Sequence, residues 1–340
     1  MFTYLIFSLC ILFIIAYRRP LYFGPKSDHF DGIRFYNRNK DFTPKSIFDV
    51  LKWKISTIGK KNTWPTKIVN SCGNFQLFKK GELKSGINVI NIGHMTFLIQ
   101  VQNINIITDP VFSKAAGPFG IFGPKRIIDP CLKISDIDKI DVVLITHSHY
   151  DHLDMTSLKE IVSKHNPIII VPLGLDSILH SALYTNKIIP LDWEESEIVY
   201  GIKIHLEEAV HWSMRSLFDK NKTLWGSYVI EALDKKILFT GDTAFEARVF
   251  ENIASRHNNI DIAFIPCGAY EPYWFMNKVH MNPNDAIKAS KIVNANVTIP
   301  THIEVFKLSD EEYDDPRKTI VSLQNSINVK ILDVGSSAQF

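Results

Sequence analysis

The sequence predicts an α/β protein in which two β-sheets pack face to face with helices outside. Three observations carry this reading. Short, β-branched apolar runs alternate with turn residues from Ile87 onward, and these runs fall into two series, each followed by helical patterns. The chain is also large enough, at 340 residues with 46% hydrophobic content, to bury a substantial core. Sheets with one apolar face each, and helices to cover the other, settle into such layers.

The first series covers residues 87–92, 95–101, 104–108, 142–146 and 168–172, with a helix expected over 154–164. The second covers 202–206, 226–232, 237–240 and 262–265. The last third mixes helices over 283–293 and 316–325 with short strands over 297–300 and 329–332. Both of those helices open on a proline, which suits a first helical turn because the missing N–H has no partner there anyway. Residues 20–85 read as an extended, basic lead-in packed on the main domain of residues 86–340, with a helix over 44–58.

Residues 1–17 are almost wholly apolar and stop at Arg18 and Arg19. The stretch is at the short end of the roughly 17–25 residues that span a bilayer, and it lacks the positive start of a secretory signal. Cys10 follows Leu9, where a lipoprotein site needs a small residue. The expectation is a membrane anchor over residues 1–19, with the basic flank leaving the main domain in the cytoplasm. A net charge of +2, with scattered basic residues, predicts no nucleic-acid partner. Cys10, Cys72, Cys131 and Cys267 lie far apart without CxxC spacing, so neither a disulfide framework nor a thiolate metal site is expected, and a reducing compartment fits. Oligomeric state leaves no readable mark.

The densest chemistry lies in His147, Ser148, His149, Tyr150, Asp151 and His152, directly after an apolar run. A lone loop histidine is ordinarily a solvated or hydrogen-bonded side chain. Four imidazole or carboxylate groups in six positions instead form a donor set suited to zinc and similar borderline cations. Alternate residues such as His147 and His149 can point one way while Asp151 and His152 turn to a second site. One loop cannot close two coordination spheres, and His211, Asp242 and His302 stand at or just beyond the ends of other apolar runs. Asp154, just past the string, is expected to cap the following helix.

The string, with a later histidine, a Gly-Asp-Thr aspartate and a final histidine, resembles the metallo-β-lactamase superfamily. The closer resemblance is to its N-acylphosphatidylethanolamine-hydrolysing phospholipase D-like branch. It rests on Gly93-His94-Met95-Thr96-Phe97, Thr108-Asp109-Pro110, Gly123-Pro124-Lys125-Arg126, Asp192-Trp193-Glu194-Glu195, His211-Trp212, Gly241-Asp242-Thr243 and Gly268 through Met276. It spans nearly everything from about Asp28 to the C-terminus. The resemblance implies an αββα metallo-β-lactamase sandwich of two mixed sheets and two Zn2+ per chain. One ion would take His147, His149 and His211, the other Asp151, His152 and His302, with Asp242 bridging.

It further implies a phosphodiesterase of the phospholipase D type, acting on phospholipid at a membrane surface. Asp242 would position the metals and the attacking hydroxide, and His280 would stabilise the phosphorane charge or protonate the departing alcohol. Ser148 and Tyr150 are expected to shape the loop. The aromatic run 270–275, with Ile121 and Phe122, is expected to line an acyl groove, face the membrane interface or sit in the core. One departure stands out: relatives commonly carry a Trp-Gly-Thr-Phe-like segment after the last ligand, whereas His302 is followed by Ile303-Glu304-Val305-Phe306. The pocket wall is therefore expected to differ at Glu304. Two alternatives keep the metal: a lactonase or other small-ester or amide hydrolase, and a non-catalytic metal-binding module at the membrane.

Overall fold

The computed structural model describes residues 17–43, 45–59, 64–69, 72–183 and 187–340. The chain forms the four-layer sandwich that the apolar runs announce. The first sheet holds β1 (Ile87–Gly93), β2 (Thr96–Val101), β3 (Ile104–Thr108), β4 (Val142–Leu144), β5 (Ile168–Pro172), β6 (Ile188–Leu191) and the C-terminal β13 (Ser337–Gln339), in the order β13-β1-β2-β3-β4-β5-β6. Its first connections are antiparallel, and from β3 to β6 the strands run parallel. The second sheet holds β7 (Ser196–Val199), β8 (Ile202–Glu207), β9 (Ser227–Ala232), β10 (Lys235–Phe239), β11 (Ile262–Pro266) and β12 (Val297–Thr301), in the order β12-β11-β10-β9-β8-β7. It too is mixed, parallel across β10, β11 and β12 and antiparallel elsewhere.

Strand alternation decides which residues meet between the sheets. Val89, Phe97, Ile99, Ile106 and Leu144 face Ile204, Leu206, Tyr228, Ile230, Phe239 and Phe264 in one buried cluster. The Tyr228 hydroxyl crosses the interface and donates to the carbonyls of Ile145 and Ile170, 2.9 and 3.1 Å away. The outer face of the first sheet (Leu98, Ile107, Val143) is covered by two helices, α2 (Met155–His165) and α3 (Leu175–His180). That of the second (Val229, Leu238, Ala263) lies under α4 (Ala247–His257) and α6 (Pro283–Ile292). Ahead of them in the chain comes α1 (Ile47–Ser56), started by a capping box between Ser46 and Asp49. The short α5 (Tyr273–Met276) and the late α7 (Asp315–Leu323) complete the set.

The lead-in is tied down at several points. The Phe30 and Phe35 rings pack tilted with centroids 4.5 Å apart and are buried in the inter-sheet core. His29 Nε2 lies 2.8 Å from Asp192, its ring stacked on Trp193 at 4.5 Å, and Arg38 reaches Asp28, Glu194 and Glu208. Burial alone would lower the His29 pKa, but its bonds to Asp192 and Asp28 raise it. Stability from this pair is therefore fully present below the unfolded value near about 6.5 and is lost as pH rises through the raised folded value. His29→Gln should lower the urea midpoint clearly at about pH 5.5 and less at about pH 9.

Three expectations are corrected. The strand expected over 142–146 ends at Leu144, because the Thr146 N–H turns to the Asp109 carboxylate instead of a neighbouring strand. The segment 329–332 contributes only a bridge from Val329 to Thr298, and the last strand is the polar Ser337–Gln339 paired with β1. Cys72 and Cys131 form a disulfide, their Cα atoms 5.3 Å apart despite a separation of 59 residues. Sequence distance hides this, since the lead-in runs beside residues 127–128, where Ile68 bridges Ile128, and the expected reducing compartment loses that support. Among the described residues no helix is long and apolar enough to cross a membrane. The anchor expected over residues 1–19 lies outside the described residues except for its last three.

Candidate metal centre

The antiparallel β1-β2-β3 and β8-β9-β10 meanders return alternate strands to one edge, so the C-terminal ends of β1, β3, β4, β8, β10 and β12 meet along one rim of the sandwich. Each carries polar chemistry. His94 follows β1, Asp109 follows β3, the string from His147 to His152 follows β4, His211 comes after β8, Asp242 after β10 and His302 after β12. His94 and His302 both adopt left-handed backbone, with φ of 60° and 64°, as tight turns at strand ends require.

One glycine permits the two sheets to close at this rim. Gly241 has a φ of 59°, and a Cβ added there would meet the Thr146 side chain at 2.6 Å. Gly241→Ala therefore combines left-handed strain with overpacking beside Asp242. A loss of about 2–4 kcal/mol in denaturant stability, with a fall in bound metal, is expected.

The seven ligand-type residues read from the sequence come together. His147 Nε2 lies 2.8 Å from His149 Nδ1, and His211 Nε2 lies 3.2 Å from the same atom. Asp151 Oδ2 is 3.4 Å from both His152 Nε2 and His302 Nε2. Asp242 Oδ2 reaches both sides, 3.2 Å from His152 and His302 and 3.8 Å from His211. His280 Nδ1 stands 3.8 Å from the same oxygen, so it faces the cluster from the loop between α5 and α6. Asp154 lies outside the cluster and caps α2 through the Thr156 N–H.

Two residues of the cluster escaped the residue-level reading. His94 Nε2 lies 3.2 Å from Asp151 Oδ2 and joins Asp151, His152 and His302 in one donor group. Asp109 is fully buried and accepts from the Thr146 N–H and hydroxyl while sitting 2.7 Å from His152 Nδ1. That contact fixes the His152 ring with Nε2 turned inward, the arrangement in which a carboxylate orients an imidazole toward a metal. In the sequence His94 stands after a glycine and Asp109 before a proline, both ordinary turn positions.

Arg215 is a third unforeseen contributor. Its Nη1 donates to the carbonyls of Ser148 and Leu153 and its guanidinium lies 4.0 Å over the Tyr150 ring, while the Tyr150 hydroxyl donates to the Arg215 carbonyl. Tyr150 and the Ser148 backbone thus hold the histidine loop in shape.

Electrostatics set the protonation pattern of the cluster. Burial would raise both Asp151 and Asp242, but the imidazoles around them hold each carboxyl well below the usual range. Burial lowers His147 and His211 well below an ordinary histidine, and takes His149 and His280 down to about 4. Neutral His147, His149 and His211 beside two carboxylates have the protonation states that ligands need, whereas Asp242, Asp151 and Asp109 together pull His152 well above an ordinary histidine against its burial. His302 is pulled up to about 9, since the carboxylates of Asp242 and Asp151 outweigh its burial. A cation placed between them would displace that proton.

The donor set fits divalent metal on its own evidence. His149 Nε2, His152 Nε2, Asp242 Oδ1, His280 Nδ1 and His302 Nε2 are buried without a hydrogen-bond partner. Such orphans are costly and gather where a cation can complete them. Imidazole and carboxylate together suit borderline cations.

The cluster opens into a groove of about 440 Å³ reached by His149, Asp151, Asp242 and His280. Its walls are largely apolar, with Val50 and Trp53 of α1, Trp212, Met214, Phe275, Met276 and Leu308, and it carries the cations Lys45 and Arg215. The Trp53 and Phe275 rings pack tilted with centroids 4.9 Å apart, and the Trp53 indole donates to Asp310. Of the aromatic run, Phe275 lines the groove, Tyr270 is buried with its hydroxyl on Asp315, and Tyr273 and Trp274 are partly exposed. Glu304 does not line it. That carboxylate turns away, into a different cavity, to pair with Arg317. The departure after His302 thus changes a supporting ion pair and leaves the groove wall to other residues.

A rim of histidines and aspartates at one edge of two mixed sheets, with helices on both outer faces, defines a metallo-hydrolase of the β-lactamase fold. Residues 104–303 match the family described as Beta-lactamase superfamily domain. The chain is 34% identical over 254 residues to N-acyl-phosphatidylethanolamine-hydrolyzing phospholipase D 1 of Caenorhabditis elegans, covering 72% of this chain and 71% of that one. It is 34% identical over 227 residues to the mitochondrial N-acyl-phosphatidylethanolamine-hydrolyzing phospholipase D of Saccharomyces cerevisiae, across 65% of this chain and about half, 48%, of the yeast protein. Among solved structures, the metallo hydrolase Igni18 from Ignicoccus hospitalis superposes with a TM-score of 0.58 at 19% identity, over 75% of this chain and 99% of that one. The chain belongs to the metallo-β-lactamase superfamily, in its N-acylphosphatidylethanolamine-hydrolysing phospholipase D-like branch.

Proposed function

We propose that the chain is a dinuclear, zinc-dependent phosphodiesterase that cleaves N-acylphosphatidylethanolamine-like phospholipids at a membrane surface. The observation that carries the reading is the joining of the histidine and aspartate cluster to an apolar groove carrying cations. A lipid phosphodiester needs both, since its acyl chains must leave water while its phosphate meets positive charge. The two relatives named for this activity support the substrate class.

In this reading His147, His149 and His211 would hold one ion and Asp151, His152 and His302 the other, with Asp242 available to both. When bound, such a pair supplies Lewis acidity and lowers the pKa of water toward neutrality. Asp242 positions the pair, Asp109 orients His152, and His94 holds Asp151. His280, neutral and facing the groove beside Asp242, donates a hydrogen bond to the leaving alkoxide. Lys45 and Arg215 draw the phosphate to the mouth.

The surroundings of the groove suit a bilayer. On α1, Trp53 and Val50 turn inward, while Phe48, Leu51 and Ile55 point outward with Ile58 just beyond, each more than half exposed beside Lys45, Lys52 and Lys54. Phe119, Ile121 and Phe122 are similarly exposed in the loop between the groove residues Ala116 and Pro124. Apolar side chains flanked by lysines are the composition of an interfacial element.

The test is turnover on liposomes containing N-acylphosphatidylethanolamine, with zinc present. Phosphatidic acid should form with wild-type protein and not with His149→Ala. Release that survives this variant, or hydrolysis confined to a lactone panel, would remove the assignment.

A further inference from the structure

On the outer face of the second sheet, away from the rim, His205 of β8 and Glu231 of β9 meet His257 at the last turn of α4. Strand register explains the meeting. Inward Ile204, Leu206 and Ile230 alternate with outward His205 and Glu231, and β8 pairs Lys203 with Glu231, so His205 lies diagonally beside the carboxylate. His205 Nε2 is 3.5 Å and His257 Nδ1 is 3.7 Å from Glu231 Oε1, and the two rings lie 4.7 Å apart at 74°.

We propose that His205, Glu231 and His257 form a further binding site, distinct from the groove, for a single divalent transition cation of the zinc type. Three features separate it from a simple polar cluster. First, the separations are too long for good hydrogen bonds, yet close to the roughly 3.4 Å between ligand atoms set tetrahedrally about 2.1 Å from one ion. Second, His205 Nε2 is buried and has no hydrogen-bond partner, while its residue is 93% covered. Third, His257 is already oriented as a ligand. Its Nε2 lies 2.7 Å from the Glu207 carboxylate, which is itself held by Arg256, leaving Nδ1 with a lone pair aimed at the site.

The chemistry of the set is two imidazoles and one carboxylate, which leaves a fourth position toward solvent on the half-buried Glu231 side. Lys236 Nζ stands 3.9 Å from the same oxygen and is anchored on the His257 carbonyl, so it supplies the competing partner when the cation is absent. A cation here would cross-link β8, β9 and the end of α4, which no contact with the groove residues requires.

The experiment counts metal in the full chain. Chelator-stripped protein is reloaded with Co2+, passed through gel filtration and measured by elemental mass spectrometry, with the visible spectrum recorded alongside. Glu231→Gln and His205→Gln should each lower bound cobalt by one equivalent per chain, remove the tetrahedral cobalt band belonging to that site, and leave lipid hydrolysis unchanged. Glu207→Gln should keep the site but weaken it by about 10- to 100-fold. Because the readout is a difference of one equivalent, it stands whether or not the groove holds two ions. Equal cobalt content and identical spectra in wild type, Glu231→Gln and His205→Gln, with circular dichroism showing all three folded, would overturn the proposal.

Discussion

Replacing Asp242 by asparagine is expected to abolish hydrolysis while leaving the chain folded. The carboxylate sits 3.2 Å from His152 and His302 and 3.8 Å from His211 and His280, so its charge acts on both halves of the cluster. An amide keeps the volume and removes the charge. Turnover should fall by about 10²–10³-fold, the scale on which a preorganised electrostatic contact acts, and bound metal should drop below that of wild type. Elemental analysis beside the liposome assay checks both. Wild-type turnover in Asp242→Asn protein would remove Asp242 from the centre.

The second large effect concerns a residue that touches no groove surface. Asp109 accepts from the Thr146 N–H and hydroxyl and holds His152 Nδ1, all in a fully buried position. Asp109→Ala abandons these three partners. At about 1–3 kcal/mol for each unsatisfied buried group, the loss should take much of the stability of the domain. Asp109→Asn separates the roles. Its amide can still accept from Thr146, but turning its NH₂ to His152 forces Nδ1 to accept and places the ring proton on Nε2, where a metal lone pair is needed. Metal affinity should fall by about 10- to 100-fold with the thermal midpoint largely kept. Unfolding of Asp109→Ala together with wild-type metal affinity in Asp109→Asn would mean that Asp109 is structural only.

How far the sequence reached follows from where each feature's partners lie. The histidine string was legible because four donors from one loop are contiguous, and contiguity is visible without a fold. His211, Asp242 and His302 were legible as polar residues beside the ends of apolar runs. His94 and Asp109 were not, since a histidine after glycine and an aspartate before proline have ordinary turn readings until the rim brings them to Asp151 and His152. Arg215 acts on the Ser148 and Leu153 carbonyls across more than sixty residues, and no local pattern announces that.

The layers were readable from strand alternation, but three misplacements share one cause. Thr146 left its strand for a side-chain acceptor, Cys72 met Cys131 through topology, and the edge strand Ser337–Gln339 is too polar to stand out. In each, a long-range contact overrode local pattern. Helix α4, by contrast, carries Val249, Phe250, Ile253 and His257 at helical spacing, a signal present in the sequence and passed over. That helix also delivers the third donor of the outer-face cluster.

The central claim is that a pair of metal ions in the rim cluster powers hydrolysis of a lipid phosphodiester. The most direct measurement is a zinc titration of chelator-stripped Glu231→Gln protein, which isolates the groove, with phosphatidic acid release from N-acylphosphatidylethanolamine liposomes followed at each step. The account predicts no release from stripped protein and recovery that reaches its plateau at two zinc ions per chain. Full release from stripped protein, or zinc occupancy of the groove with no release from this lipid, would contradict it.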